Sequence, residues 1–99
     1  MPIDKPKHPD HFPALFRYPL ERGQGEYFLA HGTERECRST ARKYRCYLKS
    51  LAVYPLHPMT QAAQHLTIRT RMKQVRSGLW NLFVVVNGKF QFPEPETEN

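Results

Sequence analysis

Apolar and polar positions along this chain change period twice, and the changes predict where strands give way to a helix. Glu26-Tyr27-Phe28-Leu29-Ala30-His31 follows the breakers Gly23 and Gly25 and stops at Gly32, as a strand does. Thr33-Glu34-Arg35-Glu36 then forms a capping box, in which the Thr33 hydroxyl accepts from the Glu36 amide and Glu36 accepts from the Thr33 amide. Both glutamates also lie in the first turn, where the helix dipole favours negative charge. The spacing predicts a helix from Glu34 to about Val53 or Tyr54, stopped by Pro55. At about 100° per residue, Cys37, Ala41, Tyr44, Leu48, Leu51 and Ala52 fall in one apolar sector that must bury.

Beyond Pro55, residues 55–65 read as a proline turn and one or two helical turns capped by Thr60. Residues 66–73 alternate strictly: Leu66, Ile68, Thr70 and Met72 face one way, and Thr67, Arg69, Arg71 and Lys73 the other. Arg76-Ser77-Gly78 offers a turn, and residues 79–86 are apolar on both faces, as a central strand is. Asn87-Gly88 is a hairpin signal that would return Lys89-Phe90-Gln91-Phe92 as a short edge strand. The predicted fold class is α+β: a small β-α-β-β layer with a fourth strand possible, one long amphipathic helix packed on an antiparallel sheet. Three segments follow. Residues 1–20 form a proline-rich N-terminal strap, whose part from Phe12 to Leu20 lies extended against the core. Residues 21–92 form the single domain, and 93–99 an acidic, disordered tail.

A second architecture competes for residues 60–88. Thr60–Leu66 and Arg69–Val75 would be the two helices of a helix-turn-helix, and the hairpin around Asn87-Gly88 its wing. Val75-Arg76-Ser77-Gly78 before an apolar hairpin resembles the winged-helix domains of phage excisionases. This alternative stands second, because its recognition helix is about two residues too short and Thr67, Ile68 and Thr70 prefer strand.

Charge changes the picture more than composition does. The chain has 15 Lys and Arg against 9 Asp and Glu over 99 residues, a formal net charge of +6. Residues 1–32 balance to zero, and Glu94, Glu96 and Glu98 make the tail negative. Between Glu36 and Glu94 there is no carboxylate at all, so the body of the fold is more cationic than the total. Within the helix, Arg35, Arg38, Arg42, Arg45 and Lys49 recur at spacings of three and four and form a stripe about 120° from the apolar sector. The stripe runs along about 21 Å of helix at ~1.5 Å per residue, a density that suits a phosphate backbone better than a small ligand. Arg69, Arg71, Lys73 and Arg76 form a second line on a strand, with Trp80 or Phe83 beside them according to register. An aromatic among cations on an open sheet is a base-stacking arrangement.

Other chemistry is thinly represented. Cys37 and Cys46, nine residues apart on one helix, lie about 13.5 Å apart along its axis, beyond the roughly 7 Å a disulfide spans. Their spacing with His31 and His57 fits no compact zinc site, so no metal or other cofactor is expected. The early glutamates read as turn, strand and cap residues. No phosphate loop or nucleophile elbow occurs, and His31 is the one position to inspect for catalysis. The chain is not expected to be an enzyme. Its longest apolar run, Leu82 to Val86, is far below the roughly 20 residues of a membrane span, and Met1–Pro6 lacks the build of a secretory signal, so a cytoplasmic protein is expected. The charge points to an accessory or regulatory nucleic-acid-binding protein for DNA or RNA, of the kind phages and plasmids encode. Because the two cation lines fall on different faces, using both calls for a homodimer or a wrapped nucleic acid. The alternative is a protein-binding inhibitor or adaptor that docks its basic surface on an acidic patch of a host protein.

Overall fold

Alternation and capping act as the sequence leads one to expect, and pairing assembles the strands in an order that the sequence does not state. A computed structural model describes residues 6–88 of the chain. β1 (Gly25–Gly32) is followed by α2 (Glu34–Val53), the short α3 (Pro58–Ala63), β2 (Thr67–Arg76) and β3 (Leu79–Asn87), with a five-residue α1 (Tyr18–Arg22) ahead of β1. The sheet has the order β1-β3-β2, and both outer strands run antiparallel to β3. β1 and β2 are therefore parallel to each other, with β3 inserted between them, and α2 crosses over the sheet to join them. β3 is buried from both sides of the pairing, which explains its apolar run.

Both capping-box bonds are present: Glu36 N–H donates to Thr33 Oγ1 at 3.1 Å and Thr33 N–H to Glu36 Oε1 at 3.0 Å. These bonds hold the Glu36 carboxyl below its usual range. The helix buries Cys37, Ala41, Tyr44, Tyr47, Ser50 and Leu51, while Leu48 is half-buried and Ala52 is exposed. The buried arc is thus shifted from the expected sector toward Tyr47 and Ser50. The cause is the N-terminal segment, which supplies a second surface. Phe12 and Phe16 lie against Tyr47 with ring centroids 5.3 and 5.8 Å apart, and Tyr44 donates to the Phe16 carbonyl at 3.1 Å.

That segment is not an extended strap. It makes two 3-10 turns, Pro9–His11 and Ala14–Phe16, and then α1. Pro9, Pro13 and Pro19 sit at starts and caps of these turns, where a missing N–H removes no helical bond. α3 is capped by His57, whose Nδ1 accepts from Met59 N–H at 3.1 Å, and not by Thr60. The Thr60 hydroxyl, one turn further in, reaches the Leu51 and Tyr54 carbonyls at 2.6 and 2.9 Å and satisfies the open end of α2.

β2 runs through to Arg76, so residues 69–75 are strand and the helix-turn-helix alternative is overturned. The β-propensity of Thr67, Ile68 and Thr70 prevails because their alternate neighbours pack on α2. β3 ends at Asn87, and Gly88 (φ +111°) brings its backbone so near the His65 carbonyl that a Cβ would stand 2.6 Å from that oxygen. The expected edge strand at Lys89–Phe92 and the acidic tail at 93–99 lie outside the described residues.

Candidate nucleic-acid interface

The pairing register sorts β2 into two faces. Ile68, Thr70 and Met72 stand opposite Val86, Val84 and Leu82, the buried residues beneath α2. Arg69, Arg71 and Lys73 stand opposite Val85, Phe83 and Asn81 on the face that α2 does not cover. All five stripe residues of α2 are exposed, and Arg38, Arg42 and Arg45 line a groove of about 400 Å³ with Thr70 and Met72. A larger open groove, about 1210 Å³, joins Arg35, Arg38 and Arg42 to Gln74, Gly78 and Trp80. The stripe therefore leans over β2. The two cation lines do lie on different faces, as expected, but they border the two sides of one outer strand.

Two of these cations are already paired. Arg38 Nη2 lies 2.6 Å from Glu34 Oε1, and Arg71 Nη2 lies 2.8 Å from Glu26 Oε1. Among the described residues, Arg35, Arg42, Arg45, Lys49, Arg69, Lys73 and Arg76 make no ion pair.

Each outer strand carries one bulge, and each bulge redirects a side chain. In β1 the register shifts between Phe28 and Ala30, so that Leu29 and Ala30 both face α2 and His31 pairs with Asn81. In β2 it shifts between Gln74 and Arg76, so that Arg76 pairs with Leu79. Strict alternation would have turned His31 and Arg76 toward α2. The extra residues at Leu29 and Val75 place both on the open face.

At the centre of that face Phe28 and Phe83 stand directly opposite one another, edge to face, with ring centroids 6.0 Å apart. Phe28 is 54% exposed, far more than an aromatic with a packing role requires. The Arg71 guanidinium lies 5.6 Å from the Phe83 centroid and reaches across β3 to Glu26. Beside the rings, His31 Nδ1 is 2.7 Å from Asn81 Oδ1. A carboxamide oxygen only accepts, so Nδ1 carries a proton, and in the neutral imidazole form Nε2 is the acceptor. Of the two aromatics considered as neighbours of the strand cations, Phe83 is the one; Trp80 faces α2, half-buried against the core. Phe28 was missed. Nothing in a six-residue strand says which of its two faces is covered.

Two further clusters have ordinary structural roles. Cys37 is buried, which pushes its thiol up, while Cys46 is exposed; both are free. His8, Asp10 and His57 bring donor atoms within 4.8 Å of one another, a grouping the sequence did not suggest. His57 Nδ1, however, accepts the Met59 amide, so its Nε2 carries the proton and donates to Asp10 at 2.9 Å. That bond is the main reason the Asp10 carboxyl lies below its usual range. A metal on Nε2 would move the proton to Nδ1, donor against donor. The cluster is a hydrogen-bonded clamp that holds the first turn against α3.

Comparison of the chain with known protein families, curated proteins and solved structures finds no match. No helix among the described residues is long and apolar enough to cross a membrane.

Proposed function

We propose that this chain is a small nucleic-acid-binding accessory or regulatory protein that grips phosphates along both sides of β2. One observation carries the reading: six cations without an ion-pair partner among the described residues, Arg35, Arg42 and Arg45 on one side and Arg69, Lys73 and Arg76 on the other, flank a single outer strand, on a body without carboxylates beyond Glu36. Such contacts fix the position of a nucleic acid and carry little sequence information. Non-specific affinities of this kind fall in the range of about 10⁻⁴–10⁻⁶ M at physiological salt.

The test is anisotropy of labelled duplex and single-stranded DNA and RNA, titrated with the full chain over a range of salt. Each phosphate contact contributes roughly 0.7–0.9 to the slope of log affinity against log salt. Arg42→Ala with Arg45→Ala should therefore lower the slope by about 1.4–1.8. Arg38→Ala should lower it less, because Glu34 already holds that guanidinium at 2.6 Å. No binding to any of the four nucleic acids at low salt would overturn the reading and favour an acidic protein surface as the partner.

A further inference from the structure

From the open face of the sheet we infer a specific ligand: single-stranded RNA, its bases stacked on Phe28 and Phe83. The inference rests on the nucleic-acid reading and goes beyond it, because phosphate contacts alone do not distinguish duplex from single strand.

Two features converge on unpaired bases. The exposed Phe28 and the half-buried Phe83 form an aromatic pair across adjacent strands, with centroids 6.0 Å apart, and a flat π-face accepts any base. In a duplex those base faces are hidden, so the platform is useless to double-stranded nucleic acid. Along one side runs a rail of Arg69, Arg71 and Lys73, alternate residues of β2 about 7 Å apart. The Val75 bulge extends the rail by adding Arg76 to the same face. Charge complementarity with a phosphodiester chain beside stacked bases is what this layout provides.

The choice of RNA comes from the other end of the face. The Leu29 bulge turns His31 out to meet Asn81, one same-face step from Phe83. With His31 Nδ1 committed to Asn81 Oδ1, the pair presents an acceptor, His31 Nε2, on the side of the ring away from Asn81, and separately the donors of the Asn81 amide nitrogen. A 2′-hydroxyl is at once a donor and an acceptor, and it is the group that separates RNA from DNA at a given site. Glu26 supplies the one carboxylate of this array. It holds Arg71 across the Phe83 ring, so the ligand must take Arg71 from it: a phosphate replaces a carboxylate of similar geometry.

Binding of labelled oligo-rU, oligo-dT and a blunt RNA duplex to the full chain tests this. Phe28→Ala should weaken oligo-rU binding by about 5-fold or more, the loss of one stacked base, and leave duplex binding unchanged. The ring is more than half exposed, so the variant should fold, which circular dichroism verifies. Glu26→Gln should strengthen oligo-rU binding, by up to about 5-fold for release of an exposed ion pair; a merely structural role for Glu26 predicts no gain. His31→Ala should reduce the preference for oligo-rU over oligo-dT. If Phe28→Ala leaves oligo-rU affinity unchanged while Arg42→Ala with Arg45→Ala lowers it, the platform is wrong and the phosphate reading stands. Duplex binding as tight as oligo-rU, or oligo-dT binding as tight as oligo-rU, overturns the inference. Absence of binding to all three overturns both readings.

Discussion

Tyr44 and Tyr47 lie one helical turn apart on α2, both fully buried, and the same substitution should move stability in opposite directions at the two. The Tyr44 hydroxyl donates to the Phe16 carbonyl at 3.1 Å. The Tyr47 hydroxyl is buried with no hydrogen-bond partner among the described residues. Replacement by Phe removes one oxygen and keeps the ring, so the aromatic contacts to Phe12, Phe16 and between the two tyrosines persist. At Tyr44 the loss is an intramolecular bond, about 1 kcal/mol net, and the Phe16 carbonyl is left to find another donor. At Tyr47 the loss is a desolvated group, whose burial costs roughly 1–3 kcal/mol. Even at the low end, Tyr47→Phe gains about 1 kcal/mol and the two variants differ by about 2 kcal/mol. Urea denaturation followed by circular dichroism resolves this: at a slope near 1 kcal/mol/M for a small domain, the midpoints separate by about 2 M, with wild type between them. If both midpoints fall, or Tyr47→Phe falls further, the account of how α2 is seated under the N-terminal segment is refuted.

Four other outcomes follow from contacts elsewhere in the fold and from the same tyrosines. Burial pushes the Tyr47 phenol up to about 12, and Tyr44 higher still, whereas an unfolded phenol titrates near 10. Stability should be full below pH about 10 and fall as pH rises, because only the unfolded chain ionises; a pH series of urea midpoints, flattened in the double Phe variant, measures it. Thr33→Ala removes the cap and should cost about 1 kcal/mol in urea denaturation. The lowered Glu36 and Asp10 carboxyls add stability that is present above their unfolded values, about 4, and lost as pH falls through the folded ones, so acid titration of unfolding should show a sloping limb there. Gly88→Ala would set a Cβ 2.6 Å from the His65 carbonyl, and a lowered thermal midpoint is expected.

What the sequence made legible was whatever depends on near neighbours. The capping box needs Thr33 and Glu36 only, and it is present atom for atom. The alternation of residues 66–73 placed Arg69, Arg71 and Lys73 on one face before any partner strand was known. Long-range pairing was another matter. The two bulges have no local signature, since Leu29 and Val75 are ordinary strand residues, and only pairing with β3 turns His31 and Arg76 outward. The buried arc of α2 was misjudged at Tyr47 and Ser50 for a related reason: helical periodicity finds one apolar stripe, whereas a second packing surface from distant residues widens it. Threonine suits an N-cap, which is what the sequence predicts for Thr60; His57 occupies that position, and the Thr60 hydroxyl closes α2 instead.

The cations around β2 also admit a more modest role, which their number argues against. An outer strand offers unpaired backbone groups to any other strand, and charged side chains along it discourage that pairing. A few charged side chains, lysine above all, serve for such protection. Here the strand face carries Arg69, Arg71, Lys73 and Arg76, and Arg35, Arg38, Arg42 and Arg45 of the α2 stripe add four more cations on the other side of the same strand. Mutual repulsion among like charges makes that concentration costly to the folded state. Glu26 and Glu34 relieve it only at Arg71 and Arg38. Edge protection therefore accounts for a part of the charge at most. The remainder, together with a half-exposed phenylalanine and two bulges that bring a histidine and an arginine to the same face, is arranged as an anionic, base-bearing partner would require.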